Sequence, residues 1–449
     1  MTLSGPHPTG SGPDTIFAPA SAAGRAAIAV LRISGPAAGS ALSAMTARGL
    51  PEARRACRAR LRDPGTGEAL DDALVLWFPA PGSATGEDVA ELHLHGSRAV
   101  LAAVAAALGG LGLRLAEPGE FTRRAFLNGK LDLVQAEAVA DLAAAETEAQ
   151  RRQALRQLDG ALGSLYCGWA ERLTRLLARL EAAIDFPDED LPPEIERAVR
   201  DGSATLLAEI AAHLADGHRG ERLRDGIAVA IVGPPNAGKS SLLNRFARRE
   251  AAITSPIAGT TRDIVEIALD LGGYPVLLAD TAGLRESDDA VEREGLRRAL
   301  ARAASADLRL FVFDAARPAD AQGAAAWPPK ATLLVANKID LPGVCRQALP
   351  AGALTVSAVT GEGIAALAAA LAARVAETYR IETPTLTRAR HREALAEAAA
   401  ALGRAQQALL PELRAEDLRL AWRALGRITG HVDVEDLLDL IFAEFCLGK

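Results

Sequence analysis

The sequence predicts a multidomain α/β plus all-α chain: an N-terminal α/β domain, a helical domain built from two segments, and a second α/β domain inserted between them. Three observations predict this. Strand and helix patterns alternate through residues 226–376, amphipathic helical patterns flank that stretch on both sides, and strand-like runs ended by Gly and Pro occupy the first 127 residues. At 449 residues the chain has the length of two or three domains.

Composition narrows the function classes. Hydrophobic residues make up 49% and charged residues 24%, so the chain can bury a core and is not of the disordered class. Cys57, Cys167, Cys345 and Cys446 are widely spaced with no C-x-x-C pair, which points to a reducing compartment without a disulfide frame or zinc ribbon. The opening residues, MTLSGPHPTGSGPD, lack the charged and apolar regions of a secretory signal. The most apolar run, Val100 to Leu113, is shorter than the ~18 residues a membrane span needs. A cytoplasmic protein with no membrane span is therefore expected. A net charge of −7 speaks against sequence-blind nucleic-acid binding over the whole surface, while leaving room for a local basic site.

The elements follow in order. AAIAVLRIS (Ala26 to Ser34) and ALVLWFP (Ala73 to Pro79) read as strands of the first domain, residues 1–127. From about Leu131 the pattern turns helical, with Leu155, Leu158, Leu162, Leu165, Trp169, Leu173, Leu176, Leu180 and Ile184 spaced by three or four. Residues 128–225 thus form the first part of the helical domain, interrupted by the prolines of FPDEDLPPE. IAVAIVG, VEIALDL, PVLLAD, LRLFVFD, TLLVANKID and ALTVSA then alternate with helical stretches over residues 226–376, the pattern of a largely parallel sheet. Residues 377–449 return to amphipathic helix and complete the helical domain.

Within the inserted domain, GPPNAGKSS matches G-x-x-x-x-G-K-[ST] through Gly233, Gly238, Lys239 and Ser240, after a strand and before a helix. The glycines let backbone N–H groups wrap phosphates, Lys239 reaches the β and γ phosphates, and the Ser240 hydroxyl ligates Mg²⁺. IAGTTRD offers Thr261 to the same Mg²⁺, and DTAG (Asp280, Thr281, Ala282, Gly283) ends a strand where a γ phosphate is sensed. In NKID, Asp340 accepts two N–H donors of a guanine edge while Asn337, Lys338 and Ile339 complete the loop, and Ser357, Ala358 and Val359 support the base. GTP is therefore the expected nucleotide. Where many GTPases carry a water-orienting glutamine after DTAG, this chain has Leu284. Glu292 is the candidate catalytic residue through a bridging water, and an ordinary surface carboxylate reads equally well there. Asn236 can ligate a monovalent cation.

Lysine is scarce beside arginine, occurring only at positions 130, 239, 330, 338 and 449. Those five positions therefore carry information, because Arg cannot replace a compact ammonium in a tight cradle.

Taken with GRAAIAVLRISG, FTRRAFLNGKLDLVQAEAVADL, EAAIDFPDED, DTAGLRESDDAVEREG and the terminal FCLGK, these segments closely resemble the tRNA modification GTPase MnmE (TrmE) family over nearly the whole chain. The resemblance implies an N-terminal folate-binding domain that forms a homodimer, a helical domain, and an inserted Ras-like G domain. It further implies tRNA as substrate and an FAD-dependent partner, MnmG, in a heterotetramer or larger complex. Together they would place a carboxymethylaminomethyl group on carbon 5 of the wobble uridine. The one-carbon donor would be a tetrahydrofolate derivative, 5-formyl or 5,10-methylene, held by Arg32, Glu91, Lys130 and Lys449.

Potassium-activated hydrolysis is likewise implied, with K⁺ held by Asn236, Ser255, Ile257 and Thr260 and nucleotide contacts extending over Ala237, Ser241, Pro256, Ala258 and Gly259. Pro234, Ser255 and HLHGS (His93 to Ser97) depart from the family pattern. A ribosome-assembly or other RNA-associated GTPase is the competing reading. It predicts an appended KH-like domain with its G-x-x-G RNA clamp, or a tandem second G domain, and neither is found appended. A mechanical GTPase without chemistry of its own would leave Lys130 and Lys449 unexplained.

Overall fold

The computed structural model of the chain describes residues 14–22, 24–185, 194–249, 266–280, 301–380, 384–430, 432, 438, 441–442, 445 and 448. Contacts divide the chain into two units, one of Met1–Ala140, Gly163–Cys167 and Leu425–Lys449, the other of Asp141–Leu162 and Gly168–Ala424.

In the first unit β1 (Ile16–Pro19), β2 (Ile28–Ser34), α1 (Ala38–Thr46), β3 (Cys57–Arg62), β4 (Ala69–Phe78), β5 (Val89–His95), α2 (Arg98–Gly110), β6 (Arg114–Leu115) and α3 (Glu120–Leu127) follow one another. The strands form one sheet in the order β3-β4-β5-β2-β1-β6, antiparallel except for the β1/β6 pair. Period-two alternation sets its faces. Ala90, Leu92 and Leu94 of β5 enter a core with Leu31, Ile33, Val75 and Trp77 beneath α1 and α2, while Glu91, His93 and His95 share the opposite face. Phe121 of α3 covers the β1 part of that second face by packing on Ile16 and Ala18. The cross-strand row Val30, His93 and Leu74 stays open, with Leu74 45% and Ile28 55% exposed.

A buried-edged ionic network fixes α3. Arg124 bonds Asp14, Glu87 and Glu120, and Arg114 bonds Asp14 and Glu120. The Arg114 and Arg124 guanidiniums hold the Asp14 carboxyl below the usual range despite its partial burial. The start of α4 (Leu133–Ala144) adds Leu133 and Ala136 to a cluster with Leu438, Ile441, Phe442 and Phe445. Leu438, Ile441, Phe442 and Phe445 are thereby part of this unit. A Cβ on Gly448 would stand 2.0 Å from the Pro19 carbonyl oxygen, so the backbone there lies directly against the end of β1.

The second unit begins with α5 (Glu148–Leu158), opened by a capping box of Thr147 and Gln150. Then come α6 (Ala161–Asp185), α7 (Glu194–Leu214) and α8 (Arg219–Asp225). The leucine spacing that reads as one helix is divided between α5 and α6, because Gly160 adopts φ +85 and turns the chain.

Next follow β7 (Ile227–Val232), α9 (Lys239–Arg249), β8 (Glu266–Leu271), β9 (Tyr274–Asp280), β10 (Leu308–Asp314), β11 (Thr332–Asn337), β12 (Leu354–Thr355) and α10 (Ile364–Tyr379). The sheet order is β12-β11-β10-β7-β9-β8, parallel except for the β8/β9 hairpin. Leu242 and Phe246 of α9 with Leu367 and Leu371 of α10 cover one face, and Ala303, Phe311, Phe313 and Ala321 lie in the core of the other. The hairpin turns through Gly272 and Gly273, and the Ala149 N–H at the start of α5 donates to the Gly273 carbonyl at 2.9 Å. Asp307, just before β10, gathers three elements: it accepts from the Ala228 N–H at 2.9 Å, pairs with Arg222 of α8 at 3.1 Å, and bonds the Tyr379 phenol. Burial first, then that carboxylate, push the Tyr379 phenol pKa up.

Two further helices follow, α11 (Ala389–Gln407) and α12 (Pro411–Thr429). Arg414, only 2% exposed, donates to the Ala405 and Ala408 carbonyls at the end of α11 and pairs with Glu196 of α7. Among the described residues no helix is long and apolar enough to cross a membrane, and Cys57 and Cys345 are free thiols. Arg414→Leu should strand those carbonyls and lower stability by roughly 2–4 kcal/mol, read as an earlier urea midpoint of the full chain.

Candidate functional site

The nucleotide site is built where parallel strands end and helices begin, the place at which an open α/β sheet offers a crevice. β7 runs into the loop Gly233 to Gly238, and α9 starts at Lys239. Gly233 has φ +138, and a Cβ there would stand 2.0 Å from the Val312 carbonyl oxygen, so the loop leaves the sheet only as glycine. Gly238 is constrained in the same way, since its Cβ would lie 2.3 Å from Asn337 Nδ2. Lys239 is 7% exposed and its Nζ donates to the Gly233 and Pro234 carbonyls, both at 2.8 Å. Burial lowers its pKa below the ordinary 10.5, opposed by the Asp280 charge.

Asp280 ends β9 next to the start of α9, and its Oδ2 accepts from Ser240 Oγ at 2.5 Å. Two oxygens so close suit a hard divalent cation, which prefers hydroxyl and carboxylate oxygen. Asn236 is exposed and takes φ +59, a left-handed conformation that asparagine tolerates better than most residues.

The base-reading loops are joined to this cradle through Asn337. It is 1% exposed, its Nδ2 donates to the Ala237 carbonyl at 2.8 Å, and its Oδ1 accepts from the Ala358 N–H at 3.1 Å. One amide therefore ties the phosphate loop, the end of β11 and the loop after β12. Lys338, at φ +67, reaches Asp314 Oδ2 at 2.8 Å. Against the effect of burial, that ammonium and the Ala316 N–H hold the Asp314 carboxyl below its usual range. Ile339 is buried and Asp340 exposed beside it. Ser357 is buried and its Oγ accepts from the Thr360 N–H at 3.0 Å, while Val359 is 76% exposed.

Two supporting residues escape the sequence reading. Asp314 pairs in register with Asn337 across β10 and β11, a neighbour relation no motif spells out. Arg245 of α9 donates to the Thr360 carbonyl at 2.7 Å and so buttresses the loop from behind. The structure thus brings together Asn236, Ala237, Gly238, Lys239, Ser240, Asp280, Asn337, Lys338 and Ala358; Ser241 follows on the first turn of α9. Ser255, Pro256, Ile257, Ala258, Gly259, Thr260, Thr261, Thr281, Ala282, Gly283 and Glu292 lie outside the described residues.

A second locus sits in the first unit. Arg32 and Glu91 face each other across β2 and β5 and form an ion pair at 2.9 Å, with the Arg32 guanidinium 5.7 Å from the centre of the Phe121 ring. Pro19, against which Gly448 lies, pairs with Leu31, the neighbour of Arg32. Lys130 follows Gly129 at φ +66, its backbone N–H donating to the Ala125 carbonyl, and its Cε would lie 3.5 Å from a Cβ on Gly86. Asn128 Nδ2 bonds the Thr85 carbonyl in the same loop. Lys449 and Cys446 lie outside the described residues.

Comparison with known proteins settles the lineage. The MnmE helical domain family matches residues 133–446, and the family described as GTP-binding protein TrmE N-terminus matches residues 15–130. The chain belongs to the MnmE family of tRNA modification GTPases. It is similar to the tRNA modification GTPase MnmE of Rhodospirillum rubrum, at 62% identity over 97% of this chain and 99% of that protein. It is also similar to those of Parvibaculum lavamentivorans, at 60% over 97% and 100%, and Paramagnetospirillum magneticum, at 60% over 97% and 100%.

Two outcomes follow. Asn337→Ala should weaken GTP binding by about tenfold or more, because the phosphate loop and the loop after β12 lose their shared tie; titration calorimetry reads it. Since Lys239 must be charged to hold phosphate and burial lowers its pKa, GTP affinity should be flat at neutral pH and fall as pH rises, with the loss starting below 10.5.

Proposed function

We propose that this chain hydrolyses GTP and couples the cycle to modification of the wobble uridine of certain tRNAs, with a tetrahydrofolate derivative as one-carbon donor. The observation that carries the reading is that the Gly448 backbone lies against the end of β1, beside the strand that bears Arg32 of the Arg32–Glu91 pair. Membership of the MnmE family supports the GTPase and tRNA assignments.

In this reading the division of the chain is 1–127, 128–225, 226–376 and 377–449, for the folate-binding domain, the first helical part, the G domain and the second helical part. Asn236 to Ser241, Asp280 to Gly283, Asn337 to Asp340 and Ser357 to Val359 hold GTP. Ser240 and Thr261 take Mg²⁺. Asn236, Ser255, the Ile257 carbonyl and Thr260 would hold K⁺, whose positive charge would offset the negative charge that builds up as the bond to the GDP leaving group breaks. Glu292 orients the attacking water, a task Leu284 cannot perform.

In the N-terminal domain, a half-buried carboxylate beside a guanidinium over a phenyl ring suits a flat, polar, anionic ligand such as a folate. Glu91 accepts the ring N–H donors, and Arg32, Lys130 and Lys449 balance the glutamate and one-carbon oxygens. The open apolar side chains of Val30, Leu74 and Ile28 on this sheet face support a homodimer through this domain, since such surface is otherwise left to water. The net charge of −7 is the reason to assign much of the tRNA surface to the flavoprotein partner, MnmG.

Truncation after Phe445 should abolish binding of 5-formyl-tetrahydrofolate in a fluorescence titration while GTP affinity stays unchanged. If the intact chain binds no folate, the RNA-associated GTPase reading takes its place. Turnover should be faster in K⁺ than in Na⁺, and Glu292→Ala should slow it by roughly 10²–10⁴-fold without weakening nucleotide binding, read by steady-state phosphate release. Equal turnover in both salts removes the cation role of Asn236.

A further inference from the structure

Between the foot of the nucleotide-binding sheet and the helices beside it lies a groove of about 830 Å³, remote in sequence from the phosphate loop. One wall is α5, with Arg152, Gln153 and Arg156; the other is the chain that follows α10, with Arg380, Thr385 and Thr387. Leu162, Leu223 and Tyr379 are buried along its floor, and the tip of the β8/β9 hairpin closes one end with Tyr274. A volume of this size accommodates a nucleotide-sized molecule.

Two features single it out. First, on a chain that is acidic overall, the described residues of its rim include Arg152, Arg156 and Arg380 beside the carboxylate of Glu148, which Arg151 and Arg152 hold. Arg152 and Arg156 stand one helical turn apart on the same face of α5. Second, the groove carries buried polar atoms with no hydrogen-bond partner among the described residues. These are the Thr387 hydroxyl, on a side chain 3% exposed, and Gln153 Oε1, whose Nε2 is spent on the Gly220 carbonyl. A buried hydroxyl or amide oxygen left unpaired costs about 1–3 kcal/mol, a cost that a ligand bearing N–H and O–H groups offsets.

We propose that this groove is a second anion site, which binds a phosphate-bearing nucleotide with its base and sugar beside Thr387 and Gln153 and its phosphates on the arginine rim. Guanidinium forks match phosphate oxygens in paired geometry, and exposed arginines on two walls let the phosphates bridge them. A nucleotide held there touches α5, the hairpin tip and the chain leaving α10 together. The same chemistry is offered by a free nucleotide and by a nucleotide within an RNA strand.

The test uses the full chain with its phosphate loop saturated by excess GDP, titrated with a fluorescent ATP analogue or with bulk deacylated tRNA. Arg156→Glu and Arg380→Glu, both exposed substitutions, should weaken binding of one or both probes by about tenfold, with GDP affinity unchanged. Thr387→Val, which keeps the shape and removes the hydroxyl, should weaken binding severalfold while the melting temperature holds or rises. Loss confined to the ATP analogue assigns the groove to a free nucleotide, and loss confined to tRNA assigns it to RNA. If neither probe binds the unsubstituted chain, or if both bind all variants equally, the proposal is overturned. GDP affinity, measured in the same samples, separates that result from failure of the GTP site.

Discussion

The buried amide of Asn337 is the tie on which the nucleotide end of the molecule depends. It is the last residue of a parallel strand, and with water excluded both its donor and its acceptor must find protein partners. They find a carbonyl of the phosphate loop and an N–H of the loop after β12, so three segments far apart in sequence are held in one geometry. The glycine at 238 is obliged by the same contact, because the amide occupies the space a side chain would need. Lys338 can then leave the strand in a left-handed turn, its ammonium satisfied by Asp314 on the adjoining strand. Position, charge and backbone shape at the site all descend from one packed side chain.

The first unit solves a different problem. Its sheet has a dry face under α1 and α2 and a mixed face on which charges must be accommodated. Arg124, nearly buried, sits among Asp14, Glu87 and Glu120, and Glu87 also accepts from Ser34. That ring of opposite charges anchors α3 and with it Phe121, the surface over which Arg32 lies. The ion pair with Glu91 is thus prearranged by groups that do not touch it.

Much of this was legible in the residues because phosphate and guanine impose residue types at fixed intervals, and those intervals survive in a linear string. The inserted strands were legible for a related reason: continuous apolar runs such as LRLFVFD fit a sheet buried on both faces. The break between α5 and α6 was not. Leu155, Leu158, Leu162 and Leu165 keep helical spacing straight through Gly160, so periodicity stays in phase across a point where the chain turns. Asp314 was hidden because its role depends on which strand lies next to β11, a fact of register. Arg245 was hidden because its partner is a backbone carbonyl, which has no sequence signature. The packing of Phe442 and Phe445 beside Leu133 and Ala136 was hidden as well, because residues about 300 positions apart share no sequence interval.

Asp307 has a consequence for modularity. The strand that opens the nucleotide-binding sheet and the helix that closes it both come to the same carboxylate, where Arg222 of the preceding helix also meets them. A long excursion of chain therefore departs and returns at almost one point. Closing such a loop asks little rearrangement of its host, and a piece whose ends coincide can be excised, transplanted or re-cut elsewhere without redrawing the fold around it.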